Sequence, residues 1–359
     1  MSTLSSRPAL RWLVPVGVAA VVLSAGVAGR AIVAEADPAL PPRTAAELLV
    51  DLQTSAVAGL SGTVVQRAEL GLPELPVSIG GQGSAEFSAL VSGTHTLRLW
   101  YGGEERQRIA LLGTLGESDL VRNGQDVWTW SSTTNEATHL VLPAGGGDEQ
   151  PLPTDLPSTP QEAAEAALAL IEPTTVVSTD GTATVAGRAA YELVLRPRDP
   201  ESLVGQVRIA IDAEEQVPLR VQVLAAGAVE PALEIGFTQI SFAMPGDEHF
   251  TFRPPQDAVV TEATPGDPPA DEPGVPATTV VGAGWTSVLV TTAPATDPTA
   301  SVAEPTTVDL LVASLPRVSG DWGSGYLLRS ALVSVLVTDD GRLLAGAVRP
   351  ERLFDVAAG

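Results

Sequence analysis

The sequence predicts an α+β fold built mainly from antiparallel strands. Three observations predict it. Apolar and polar residues alternate over long stretches, as where Val207, Ile209 and Ile211 are set against Gln206, Arg208 and Asp212. Short turn signals join such stretches, the strongest being Asn123-Gly124. Two segments carry the capping pattern of a helix start, Thr44 with Glu47 and Thr159 with Glu162.

Taken in order, the first element is a helix over about residues 45–58. Leu48, Leu49, Leu52 and Leu60 fall near one face, and Gly59 and Gly62 end it. A strand begins in GTVVQRAEL. THTLRLWYGGEERQRIAL gives two strands about a Gly102-Gly103 turn, and DLVRNGQDVWTWSSTTNEATHLVL gives three. A Gly- and Pro-rich loop leads to a small-residue helix over residues 160–171, with Pro160 at its first position and Leu168 and Ile171 as its larger apolar side chains. Strands resume in RAAYELVLRP, GQVRIAIDAEEQVPLRVQVLA, PALEIGFTQISFA and HFTFRPPQDAVV. Leu219, Val221 and Val223 alternate with Arg220 and Gln222, which marks one wetter sheet face. Residues 261–279 are rich in proline and acid and read as a linker. Residues 280–359 read as a small α+β extension: the segment GWTSVLVTTA, a helix in TTVDLLVASLP, a hairpin turning at Asp339-Asp340-Gly341, and a short helix after Pro350.

With apolar residues at 44% and charged ones at 18%, the chain can bury a substantial core. The net charge is −23 and all 20 basic residues are arginine, a balance that excludes a nucleic-acid partner, which needs a basic face. The absence of cysteine removes disulfides, thiolate chemistry and Cys-based metal sites. Arg7 and Arg11 precede an uncharged apolar run, residues 12–29, closed by Arg30. The run is long enough for a membrane anchor, and Ala34-Glu35-Ala36 fits a signal cleavage site. Residues 1–36 are therefore a signal peptide or an N-terminal anchor, and either places the remainder outside the cytoplasm.

No catalytic pattern emerges. His95, His139 and His249 are far apart in sequence, and DWGSGY has Trp322 where a nucleophile elbow needs its first glycine. Asp212 to Gln216, DAEEQ, lacks the spacing of a calcium loop and reads as a strand turn. A binding protein without cofactor or metal is expected.

Four segments in order resemble the LolA/RseB/LppX group of lipid- and lipoprotein-binding proteins. They are LRLWY, VRNGQDVWTW with THLVLP, RIAIDAEEQVPLRVQV, and IGFTQISFAMPGDEHFTFRPPQDAVV. The resemblance covers residues 44–260. The lipobox cysteine is missing, and the closing RLLAGAVRPERLFDVAA is loosely similar to the second domain of RseB-type regulators. The resemblance implies a strongly curved antiparallel sheet, an incomplete barrel, with residues 160–171 as a helical lid. It implies acyl chains held on an apolar concave face. The implied wall is Trp128, Trp130, Leu97, Leu99, Trp100, Val207, Ile209, Ile211, Leu219, Val221, Val223 and Phe237. Alternation alone leaves open which face is concave. Arg98 matches by position an arginine that holds the lid, with Leu168 and Ile171 facing it. The implied function is an exported carrier or chaperone for lipid or lipoprotein acyl chains, attached to the membrane if at all by its N-terminal segment. The alternative is an RseB-like envelope sensor acting on a membrane protein partner such as an anti-sigma factor.

Overall fold

The computed structural model describes residues 40–72, 87–114, 116–142, 173–263, 278–292 and 312–359. Twelve strands form one sheet: β1 (Leu60–Ala68), β2 (Gly93–Tyr101), β3 (Arg106–Leu112), β4 (Glu117–Asn123), β5 (Asp126–Ser131), β6 (Glu136–Val141), β7 (Thr175–Val185), β8 (Arg188–Pro197), β9 (Val204–Asp212), β10 (Pro218–Ala225), β11 (Pro231–Ser241) and β12 (Val259–Ala263). Their order is β12-β6-β5-β4-β3-β2-β1-β11-β10-β9-β8-β7. Short turns set the antiparallel register. Asn123 faces Asp126 across the β4–β5 turn, where Gly124 has φ +64°, a conformation glycine adopts without a Cβ penalty.

Two findings overturn the expected strongly curved antiparallel half-barrel. The sheet is mixed, because β12 pairs with β6 in parallel. It is also open, with β12 and β7 at opposite ends of the strand order and no pairing among the described residues that closes it. The physical cause lies in HFTFRPPQDAVV. Its alternation mimics a strand, but Pro254 and Pro255 offer no N–H to a ladder. Residues 247–250 instead form a 3₁₀ turn, and the chain re-enters the sheet only at Val259. The expected lid, residues 160–171, lies outside the described residues, as does the apolar run 12–29. Among the described residues no helix is long and apolar enough to cross a membrane.

Helix α1 (Ala45–Thr54) starts at the capping box seen in the sequence. The Thr44 hydroxyl accepts from the Glu47 backbone N–H, and the Glu47 carboxylate accepts from that of Thr44. The backbone N–H bond from Thr44, then its hydroxyl, holds the exposed Glu47 carboxyl below its ordinary range. The helix buries Leu48 and Leu49 against the sheet and ends four residues earlier than the sequence pattern suggests.

The C-terminal part forms a second sheet from β13 (Thr278–Val281), β14 (Val288–Thr292), β15 (Arg317–Gly320), β16 (Gly323–Arg329), β17 (Ser334–Thr338) and β18 (Arg342–Gly346), in the order β13-β14-β18-β17-β16-β15. Helix α2 (Pro350–Ala358) packs on one face of it. The strands β12 and β13 begin and end the expected linker, so part of residues 261–279 is sheet. The two sheets touch through Leu332, which is buried in the large core, and Trp285, whose indole N–H donates to the Thr175 hydroxyl at 2.8 Å.

Candidate functional site

Directly paired residues on neighbouring strands share a face, so the register divides the large sheet cleanly. One face carries Val64, Leu97, Leu111, Leu193, Ile209, Val221 and Ile235, which close into a core with Leu48 and Leu49 of α1. Leu97, Val207, Ile209, Ile211 and Val221 of the expected wall are buried in this core, and Leu99, Val223 and Phe237 pack against it. Leu219 is buried in a smaller cluster with Ala190, Ala210 and Val217. Alternation turns Arg98 and Trp100 to the reverse face. The chain of pairs Trp100–Arg108, Arg108–Val121 and Val121–Trp128 puts Trp128 there too, and Asp119–Trp130 adds the second tryptophan. The expected wall is thus shared between two faces. Arg98 is exposed, opposite Thr63 and Ala110, while Leu168 and Ile171 lie outside the described residues.

The reverse face is covered in part by the chain itself. Between β11 and β12 a strap, residues 242–258, crosses from beside β1 to the far edge at β6. Phe250 anchors it, 1% exposed, with the Arg106 guanidinium 5.5 Å from its ring centroid. Gly102 allows this approach, since a Cβ there would stand 3.0 Å from the Phe250 ring. Arg106 also pairs with Asp247 at 2.7 Å. His249 stacks on Trp100 at 5.1 Å, and Phe252 tilts against Trp128 at 5.4 Å and Trp130 at 6.2 Å. Beside the strap is an open cleft of about 590 Å³ lined by Arg108, Glu117, Asp119, Trp130, Glu248, Phe252 and Arg253 among others. Arg108 donates two hydrogen bonds to the buried Asp119, at 2.8 and 3.0 Å, and lies 5.3 Å over Trp100. The cleft is charged and aromatic, a poor host for an alkyl chain.

At the β12 end, His139 sits between two carboxylates. Its Nε2 is 2.8 Å from Asp126 and its Nδ1 is 2.8 Å from Glu262. The ring stacks on Trp128 at 4.2 Å with planes 13° apart. The hydrogen bond that His139 donates to the Asp126 carboxylate is the main cause of its raised pKa, with Glu262 adding to it against the effect of burial.

The small sheet offers a different surface. Val288, Leu327, Leu336 and Leu344 point to α2 and pack with Leu353 and Ala357. The register puts two apolar rows on the other face. One runs Leu289–Ala345–Val335–Leu328, and the next Thr291–Leu343–Val337–Tyr326–Arg317. Leu289 is 41% exposed and Leu343 36%, and the rest of the apolar side chains are only half-buried. Arg317 closes one end, 5.3 Å over the Tyr326 ring and paired with Asp339 at 2.6 Å.

Sequence reasoning missed the strap, the Asp126–His139–Glu262 arrangement and this open face. The face was signalled by the alternation in SALVSVLVTDDGRLLAGAV, in which both residue sets are apolar. Among the described residues no group of His, Asp or Glu could hold a metal ion.

The expectation of an acyl-chain carrier is overturned on these grounds. It needed a strongly curved sheet with an apolar hollow. The open mixed sheet has its apolar face filled by α1 and by interlocking side chains.

No family model matches the chain, and no curated protein matches it. Solved structures do. The complex of Pseudomonas aeruginosa MucA and MucB is similar at 16% identity, over 87% of this chain and 96% of that one, with a TM-score of 0.45. A crystal structure of MucB is similar at 18% identity, over 87% and 94%, with a TM-score of 0.41. A LolA superfamily protein from Nitrosomonas europaea is similar at 12% identity, over 59% and 99%, with a TM-score of 0.22. These structures fall in the LolA- and MucB-like group that the four sequence segments resemble. With TM-scores below 0.5, none assigns a role to a residue here.

Proposed function

We propose that this chain is an extracytoplasmic envelope protein that binds another protein, as a regulator of the RseB-like kind, through the open face of its six-stranded sheet. One observation carries the reading: the face opposite α2 is apolar across four adjacent strands and has partly exposed Leu289 and Leu343 at its centre. A contiguous apolar sheet face in contact with water is unfavourable by about 25 cal/mol per Å² until covered, and such patches serve as protein interfaces. The polar rim at Arg317 and Asp339 suits an interface edge, where charged groups keep water. The partner is a protein, as MucA is for MucB in one of the similar structures. The work is binding and not catalysis.

Photo-crosslinking tests it. A photoreactive residue at Leu289 or Leu343, in cells that make the full chain, is expected to give one discrete protein adduct. The same residue at Val229, 89% exposed elsewhere, is expected to give none. Equal labelling from all three positions, or no adduct from the sheet face, would sink the reading.

A further inference from the structure

Strand β12 is the least enclosed strand of the large sheet. All five of its residues are exposed, Val259 at 63% and Val260 at 43%. It contributes almost no apolar burial, so its attachment rests on polar contacts. The β6 ladder is one. At the strand entrance Val259 N–H donates to the Asn135 carbonyl, and the Asn135 side-chain amide donates to the Asp257 carbonyl, both at 3.0 Å. Further along, the side-chain tie is Glu262 to His139.

That tie has a built-in proton requirement. A neutral imidazole has one N–H, so it can donate to only one of two carboxylates and turns a lone pair toward the other. Both ring nitrogens of His139 face carboxylate oxygens at 2.8 Å. Only the imidazolium satisfies this geometry. We propose that His139 is a proton-controlled clamp that ties the edge strand β12 to β5 and β6 and, when neutral, loosens it. The charged groups facing the ring are Asp126 from β5 and Glu262 from β12. Its same-face neighbours on β6, Ala137 and Val141, are uncharged, and Trp128 with Phe252 of the strap closes the remaining side.

The raised pKa of His139 agrees with the geometry and fixes the sign. A group with a raised folded-state pKa contributes stability that is complete below its unfolded value, about 6.5, and is lost as pH rises through the folded value. The clamp therefore closes in mild acid and opens toward alkaline pH. β12 is also the far mooring of the strap, and the strap covers Trp128 and Trp130. Loosening β12 widens access to this aromatic face, whose two tryptophans are half-buried beneath the strap.

Hydrogen exchange read by mass spectrometry, on the full chain at pH 5.5 and pH 8.5 and corrected for intrinsic rates, tests this. Protection of the peptide spanning residues 259–263 is expected to fall about two- to fivefold at the higher pH, the range for one partly exposed ion pair. Protection of the β2 peptide is expected to stay constant. Glu262→Gln, on an exposed strand, keeps the fold and is expected to abolish the pH dependence at β12. Protection at β12 that does not change with pH, or a change that survives Glu262→Gln, would overturn the clamp.

Discussion

Arg188, at the start of β8, and Asp212, at the end of β9, form a two-pronged ion pair beneath the ring of Phe242. Asp212 is 1% exposed, and its Oδ1 also accepts backbone N–H bonds from Glu214 and Glu215 at 2.9 Å. The pair fixes both the β9–β10 turn and the strand that enters it. Removing Asp212 leaves Arg188 partly exposed and still paired with Glu214 at 3.0 Å, so the loss is that of the charge-assisted hydrogen bonds to Asp212, about 1.5–3 kcal/mol. Asp212→Ala is expected to lower the unfolding free energy by that order in urea denaturation.

The same carboxylate gives a pH dependence. Burial works to raise the Asp212 pKa, but the hydrogen bonds from Arg188 and from the two turn N–H groups outweigh it, and the net shift is downward. A lowered folded-state pKa means that its stabilisation is complete above the unfolded value, about 3.9, and is lost as pH falls through the folded value. The stability gap between the natural chain and Asp212→Asn is therefore expected to be widest near neutral pH and to shrink steadily below about pH 4. Urea midpoints measured from pH 7 down to pH 3 check this, and a gap that stays constant would refute it.

Leu97 and Arg98 test the division of the large sheet. Leu97 is fully buried in the core with Leu48 and Leu111, while Arg98 is exposed on the reverse face. Leu97→Ala is expected to cost about 2–5 kcal/mol by loss of transfer energy and cavity formation. Arg98→Ala is expected to change stability by less than about 0.5 kcal/mol. Two-state denaturation curves for the two variants give the comparison directly.

Local signals were legible in the sequence where neighbours along the chain are neighbours in space. RAAYELVLRP is the whole of β8, and Asn123-Gly124 sets the β4–β5 register, which in turn places Trp128 opposite Val121. Period-two alternation already separates Leu97 from Trp100, though the family resemblance gathers them into one wall. The pairing of β12 with β6 was not legible, because Val259 meets Glu136 across more than a hundred residues and no local pattern encodes that choice. The strap was hidden for a related reason: Phe250 and Phe252 alternate as in a strand, and only the following Pro254-Pro255 argues against a ladder. The His139 arrangement needs Asp126 from a hairpin, which is local, and Glu262 from the distant strand, which is not.

Leu343 and Leu344 are adjacent on β18 and face opposite sides of the small sheet. Leu344 is fully buried against α2 with Leu336 and Leu353, whereas Leu343 is 36% exposed on the open face between Thr291 and Val337. Leu344→Ala is expected to destabilise the chain by about 2–5 kcal/mol, since the cavity it leaves is walled by fixed neighbours. Leu343→Asp places a charge in water on a face that the fold does not need covered, so the melting temperature is expected to move little. Partner binding is where Leu343→Asp acts, because a carboxylate at the centre of an apolar interface must be desolvated without a cationic partner, at a cost of about 2 kcal/mol or more. Loss of the crosslinked adduct from Leu289 in the Leu343→Asp background, with an unchanged melting curve, is the expected result. A large drop in melting temperature would show instead that this face is packed within the chain.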